Sequence, residues 1–168
     1  MGWATSPTAT VATYGPGDLF YKDADTTLYE VWNASYNITE KWSDDGKTLT
    51  LVGNGNMANY ASTSVPWRDK RTQIETVIIS EGITSIGSYA FADCINLSRV
   101  DIPQTVRLIG SYAFYNCTAL TSIEISDSVT SIGSYAFSGC YALTSVEIPA
   151  SVTNINAGAF RYTDSLTS

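Results

Sequence analysis

Phenylalanine recurs at Phe91, Phe114, Phe137 and Phe160, a constant step of 23 residues, and the positions around it keep the same step. Ala90, Ala113, Ala136 and Ala159 precede it, Ile86, Ile109, Ile132 and Ile155 lie further upstream, and Ile83, Val106, Val129 and Val152 further still. Leu97, Leu120, Leu143 and Leu166 follow, with Ile74 in the leucine place of a first unit. Val77 and Ile79 lead Val100 and Ile102, Ile123 and Ile125, and Val146 and Ile148. Self-similarity at a fixed period marks units that are each too small to bury a core and that bury one by stacking. The chain divides into units 74–96, 97–119, 120–142 and 143–165, with the start of a fifth at 166.

One unit reads LxxVxIPxxVxxIGxYAFxxC. Alternation from Val100 to Ile102 predicts a short strand with both apolar residues on one face, and Pro103 and Pro149 end that strand at a corner. A second extended piece runs through Val106 and Ile109. A bend at Gly110, where glycine tolerates positive φ cheaply, then turns Ala113 and Phe114 inward. The predicted fold is mainly β, a solenoid of four 23-residue coils led by a β cap, because the open end of a solenoid exposes core and strand edges.

LTSVEIPASVTNI together with the recurring SIGSYAF and C-x-x-L elements resembles the BspA-like, or Treponema pallidum-type, leucine-rich repeats over residues 74–168. WSDDGKTLTLVGNGNMANYASTSVPW, from about Lys41 to Trp67, is similar to the short β segment that often precedes such arrays, a hairpin with Asp44-Asp45-Gly46 at its turn. Residues 1–18 read as an extended lead-in and 19–73 as the N-terminal β cap segment. The resemblance implies a cell-surface or secreted protein and adhesion, including to extracellular-matrix proteins and other cells. Leu166-Thr167-Ser168 stops where the next strand is due, so the expectation is a fragment of a longer array whose uncapped end offers a place for self-association.

The 168 residues contain no histidine, which removes the usual general base and commonest metal ligand and excludes Ser-His-Asp and Cys-His nucleophile systems. A formal charge of -7, with 9 basic residues scattered along the chain, disfavours nucleic acid and anionic membrane surfaces. No apolar run is long enough to insert in a membrane, and the start lacks the charged and apolar regions of a signal peptide. No cofactor is expected, and the chain reads as a non-enzyme, since its acids stand in a row and not across a cleft. Asp23-Ala24-Asp25 opens like a calcium loop but lacks the glycine and the closing glutamate. Asn33, Asn37, Asn96 and Asn116 sit in N-x-Ser/Thr sequons, in a chain about a quarter Ser and Thr.

Three groups of residues are candidates for contact. Cys94, Cys117 and Cys140 share one place in successive units, and their odd number and spacing favour a packed ladder of buried thiols over a metal or disulfide site. The outward positions of the principal strand are Thr76 and Ile78, Arg99 and Asp101, Ser122 and Glu124, and Ser145 and Glu147. With parallel neighbours about 4.8 Å apart, Asp101, Glu124 and Glu147 are expected to form an acidic ladder. Each step costs roughly 0.7 kcal/mol for carboxylates about 6 Å apart in water, which a stable solenoid tolerates. Arg99, Asp101, Ser122, Glu124, Ser145 and Glu147 are the candidate face for a protein partner, a host extracellular-matrix protein or another cell surface. The alternatives are a merely solvated face on a structural spacer or stalk, and carbohydrate binding along Tyr89, Tyr112 and Tyr135, a second ladder on the convex side with Tyr115, Tyr141 and Tyr162 nearby; a copied repeat also produces such a row where tyrosine simply packs on itself, and that packing reading is the favoured one. If the register is right, Phe114→Ala removes a ring from the centre of the stack and costs about 3–5 kcal/mol. An unchanged melting temperature overturns the register.

Overall fold

The computed structural model describes residues 38–167 and the backbone of two short antiparallel strands, β1 (Gly2–Ala4) and β2 (Tyr29–Val31). Most of the lead-in, Asp23-Ala24-Asp25 and the Asn33 and Asn37 sequons lie outside the described residues.

From residue 38 the chain alternates short strands and turns. A hairpin of β3 (Ile38–Trp42) and β4 (Thr48–Gly53) opens it, turning at Asp44-Asp45-Gly46 as the sequence predicts. The Asp45 carboxylate accepts hydrogen bonds from the Ser43 hydroxyl at 2.6 Å and the Lys47 amide at 3.0 Å, and these bonds lower its pKa. Gly46 supplies the φ of +71° that closes the turn.

β4 does more than complete a cap. It pairs in parallel with β6 (Thr76–Ile79), Leu49 opposite Val77 and Leu51 opposite Ile79, and β5 (Gly55–Asn56) pairs in parallel with β7 (Ile83–Ile86). Residues 48–73 therefore wind as a longer first coil beneath the 23-residue units, and β3 covers its outer edge.

The repeat then delivers β8 (Arg99–Asp101), β10 (Ser122–Glu124) and β12 (Ser145–Glu147) to the principal face. The second extended piece of each coil gives β9 (Leu108–Ile109), β11 (Ser131–Ile132) and β13 (Asn154–Ile155). This second sheet is continuous, in the order β13-β11-β9-β7-β5. The principal sheet is not: β3-β4-β6-β8 forms one part and β10-β12 another.

The turn after Gly110 is the third side of each coil and keeps its own ladder. Tyr112, Phe114 and Asn116 donate their N–H groups to the next coil, to Ser134, Ala136 and Ser138 carbonyls at 2.8–2.9 Å, while Ala113, Tyr115 and Cys117 donate back within the turn. Every second amide thus bonds between coils, and the buried backbone is satisfied without regular secondary structure.

That geometry corrects the expected role of Gly110. The left-handed residues are Tyr89, Tyr112 and Tyr135, with φ of 57–59°, and one turn later Asp93, Asn116 and Gly139. Gly110 is needed for space: a Cβ there would lie 2.6 Å from the Ser88 nitrogen and 2.8 Å from the Gly87 carbonyl carbon, in the coil below. A left-handed tyrosine costs about 1 kcal/mol or more, and each ring-to-ring stack returns about 0.5–1.5 kcal/mol. The tyrosine rings do stack, at 4.7 Å for Tyr89 and Tyr112 and 5.1 Å for Tyr112 and Tyr135.

The core is a set of columns. Trp67 stacks on Phe91 at 5.6 Å, and Phe91, Phe114, Phe137 and Phe160 continue at 5.2–5.3 Å. Trp67 ends the column on the cap side and spends its polar group there, Nε1–H donating to the Ala90 carbonyl at 2.7 Å. Ile74, Leu97, Leu120 and Leu143 form a second, fully buried column. Hydroxyls tie the coils together: Thr118, Thr130, Thr144, Thr153 and Thr167 each donate to a carbonyl one coil below at 3.1–3.3 Å. In the coil 143–165 the equivalents of core residues are more open, Val146, Val152 and Phe160 being partly buried and Ile148 and Ile155 exposed, and Leu166 just after it is partly buried too.

Cys94, Cys117 and Cys140 are free and buried. The thiols of Cys117 and Cys140 each point to the carbonyl of the phenylalanine one coil below, at 3.2 Å, and Thr163 in the fourth coil donates to the Phe160 carbonyl instead. Burial pushes the thiols of Cys94 and Cys140 up to about 12, and that of Cys117 well above its ordinary value.

Two outcomes follow from this packing. Gly110→Ala, which forces a methyl group into backbone, costs about 3 kcal/mol, whereas Gly46→Ala, strained in φ but with open space, costs about 1 kcal/mol; chemical denaturation of both variants checks the order. In the folded chain at neutral pH a thiol reagent such as dithiobisnitrobenzoate labels none of the cysteines, and all three react once guanidinium unfolds it. The same burial makes stability fall as pH rises from 9.0, where thiols of the unfolded chain ionise, towards about 12, where the folded ones do.

Candidate interaction face

Side chains on a strand alternate between faces, so burying Val100, Ile123 and Val146 turns the flanking residues outward. In β10 and β12 the parallel register sets Ser122 opposite Ser145 and Glu124 opposite Glu147. All four are exposed. In β8 the outward pair is Arg99 and Asp101, facing Thr76 and Ile78 of β6.

The expected three-carboxylate ladder is corrected by two features. Arg99 and Asp101 lie two residues apart on one face, and the guanidinium grips the carboxylate with two hydrogen bonds, Nε to Oδ1 at 2.9 Å and Nη2 to Oδ2 at 3.1 Å. Asp101 is thereby matched, and it raises the pKa of Arg99. The hydrogen-bonded ladder is also interrupted between β8 and β10, which still lie side by side, so only Glu124 and Glu147 stand as hydrogen-bonded strand neighbours. Among the described residues neither forms an ion pair.

Beside these two carboxylates is a hollow of about 230 Å³, lined by Gln104, Glu124, Ser126, Asp127, Glu147 and Pro149 among others. It lies at a change in the corner residue. Pro103 and Pro149 end the strand in the flanking coils, and Ser126 stands between them without a pyrrolidine ring. The Ser126 hydroxyl is buried against that of Ser128 at 2.8 Å, and Ser128 donates to the Val106 carbonyl at 2.6 Å. Gln104, Ser126 and Asp127 join the face only through this corner; the interrupted proline column at Ser126 is the sequence signal that points to them. Among the described residues no three His, Cys, Asp or Glu side chains converge tightly enough to hold a metal ion.

Tyr89, Tyr112 and Tyr135 are half-buried and stack on one another, as the reading of a self-packing row expects. Their planes lie within 5° and 15° of one another, so both faces of Tyr112 and one face each of Tyr89 and Tyr135 are taken by a neighbouring tyrosine. A Cβ at Gly158 would sit 2.6 Å from the Tyr135 ring, so that ring rests on the backbone of the last coil. Tyr115 packs edge-on against Tyr112 at 5.6 Å, while Tyr141 and Tyr162 are exposed singly. The remaining sequons are engaged in structure, Asn96 donating to the Thr72 carbonyl at 2.7 Å and Asn116 to Asp93 at 3.0 Å.

Latching of the first coil onto the array is a feature that sequence reasoning missed. Arg71 donates to the Ser62 carbonyl and faces Asp93 at 3.6 Å, and Asp93 accepts the bond from Asn116, linking three coils. Nothing in a sequence period indicates a contact of this kind, because Arg71 precedes the first regular unit.

Comparison with known proteins agrees with this architecture. A leucine-rich-repeat protein of Treponema pallidum shares 23% identity, with a TM-score of 0.62 over 78% of this chain and 67% of that one. A leucine-rich-repeat protein of Eubacterium ventriosum shares 29% identity, with a TM-score of 0.63 over 82% of this chain and 42% of that one. A leucine-rich cell surface protein of Faecalibacterium prausnitzii shares 25% identity, with a TM-score of 0.60 over 80% of this chain and 38% of that one. The chain thus spans less than half the length of the last two. A search of curated proteins returns no match. The sequence profile of the BspA type leucine rich repeat region (6 copies) matches residues 69–168, more than half of the chain. Stacked parallel coils, buried phenylalanine column and profile agree: the chain belongs to the BspA-type leucine-rich-repeat family.

Proposed function

We propose that the chain is a non-catalytic protein-binding module of a cell-surface or secreted protein, contacting its partner through the outward face of the principal sheet. The observation that carries this reading is the exposed pair Glu124 and Glu147, which stand in register without a cation beside a hollow that Asp127 also lines. Like charges directly opposite one another on neighbouring strands are mildly destabilising, and a basic group brought by a partner relieves them. Arg99 and Asp101, already matched, sit at the margin and contribute hydrogen-bonding shape more than net charge. The scaffold favours recognition over chemistry, since its polar groups are held on a rigid open surface and not around an enclosed cleft.

The partner proposed is a protein with an exposed basic segment, of the extracellular matrix or of another cell surface. The cell-surface protein of Faecalibacterium prausnitzii, similar to this chain over part of its length, supports placement outside the cell. Among the described residues no helix is long and apolar enough to cross a membrane. A second reading, a spacer that holds other domains apart, is favoured by the unbroken phenylalanine column and the hydroxyl ties, which make a stiff rod. Sugar binding along Tyr89, Tyr112 and Tyr135 has less support, because these rings stack on one another.

The test is a binding array of extracellular-matrix proteins and glycans, probed with this chain and with the Asp101→Lys, Glu124→Lys, Glu147→Lys triple variant at matched thermal stability. A protein hit that falls at least about tenfold in the variant, equal to about 1.4 kcal/mol, and weakens with salt is expected. A hit unaffected by charge reversal overturns the sheet-face reading, and silence of both proteins favours the spacer.

A further inference from the structure

The two sheets of the solenoid cross the same junction, between coils 97–119 and 120–142, in different ways. On one side β9 and β11 pair in register, Leu108 opposite Ser131 and Ile109 opposite Ile132. Phe114 and Phe137 stack across it at 5.3 Å, and the turn ladder is intact, with Phe114 N–H to the Ala136 carbonyl at 2.8 Å. On the other side β8 and β10 lie side by side without being joined by strand hydrogen bonds.

The chain leading into each principal strand behaves in the same way. At the neighbouring junctions the residue after the buried leucine bonds to its counterpart one coil below: Ser98 to the Glu75 carbonyl at 2.9 Å, Thr144 to Thr121 at 3.0 Å and Thr167 to Thr144 at 3.1 Å. The side chains of Ser98, Thr144 and Thr167 reinforce these bonds by donating to the same carbonyls. Thr121 makes neither bond to Ser98. The anchor has moved upstream, to the Ala119 amide and the Thr118 hydroxyl, which both reach the Ile95 carbonyl at 3.1–3.2 Å. The hollow over Ser126 spans the same boundary, with Gln104 on one side and Glu124 on the other.

We infer that the principal sheet is built as two leaves hinged between β8 and β10, with the continuous second sheet and the phenylalanine column as the hinge pin. With no strand pairing to break at this junction, β8 and β10 part more easily than the paired strands while the core beneath stays closed, so local opening takes place here and leaves the rest of the array folded. The boundary divides the candidate face, leaving Arg99 and Asp101 on one leaf and Ser122, Glu124, Ser145 and Glu147 on the other. In so far as the sheet-face reading above holds, a partner that contacts both leaves bridges the hinge and stiffens it.

Native-state hydrogen exchange on the whole chain, without any partner, tests the hinge separately from binding. Amides of Thr121–Glu124 are expected to exchange at least about tenfold faster than those of Arg99–Asp101 and of Ser131–Ile132, a difference of about 1.4 kcal/mol in opening free energy. The Ser131–Ile132 amides control for the stability of the same coil, and Arg99–Asp101 for the chemistry of the same face. Equal protection across the three segments overturns the hinge, as does fast exchange of Ser131–Ile132, which would mean that the whole coil opens. A failed binding array leaves this measurement unaffected, and uniform protection leaves the binding face standing without a hinge.

Discussion

Everything in this molecule depends on keeping one coil stacked on the next at strand spacing. A single 23-residue coil has strands of two to four residues and no interior of its own. Only the next coil supplies partners for its amides and cover for its phenylalanine. The contact is strict because it is made by backbone: at Gly110 there is no room even for a methyl group above Gly87 and Ser88. That closeness sets the ring spacing of 5.2–5.3 Å along the phenylalanine column, a distance at which aromatic rings stack favourably.

The same stacking explains choices that look unusual one at a time. Tyrosine occupies a left-handed position normally left to glycine or asparagine because, repeated each coil, its ring lies on its own image. Threonine is abundant because a hydroxyl beside the strand finds a carbonyl one coil below. Cysteine fits where a small side chain must pack in the core and offer a weak donor to the Phe carbonyl beneath it. In each case the neighbour that stabilises a residue is the equivalent residue of another coil. Residues on the outward face have no such demand, and differences between coils accumulate there: Arg99 against Ser122, Pro103 against Ser126, Asp101 against Glu124.

Periodicity made the column residues legible, since a buried position must recur with the coil, and Phe91, Phe114 and Phe137 are fully buried as their spacing requires. It misread those whose role depends on how coils meet. Gly110 was legible as special, but its reason is steric crowding and not positive φ. Residues 48–73 lack the period, so their place as a coil in the stack was hidden, although the hairpin before them was readable from Asp44-Asp45-Gly46. The candidate face was legible as a list of outward residues. Its electrostatics were not, because they turn on Arg99 bending to Asp101 and on a strand pair that is missing.

What the sequence by itself determined is the unit: its length, its inward side chains, its corners and the stack that follows from hydrophobic positions repeating every 23 residues. Tertiary structure decided the pairing of charges, the hollow over Ser126, the covered faces of Tyr89, Tyr112 and Tyr135, and the break between β8 and β10. The physical reason is that burial is a property a residue carries through its own hydrophobicity and period. Which hydrogen bond forms, and which carboxylate is left without a cation, depends on distances of an ångström or two between residues a whole coil apart.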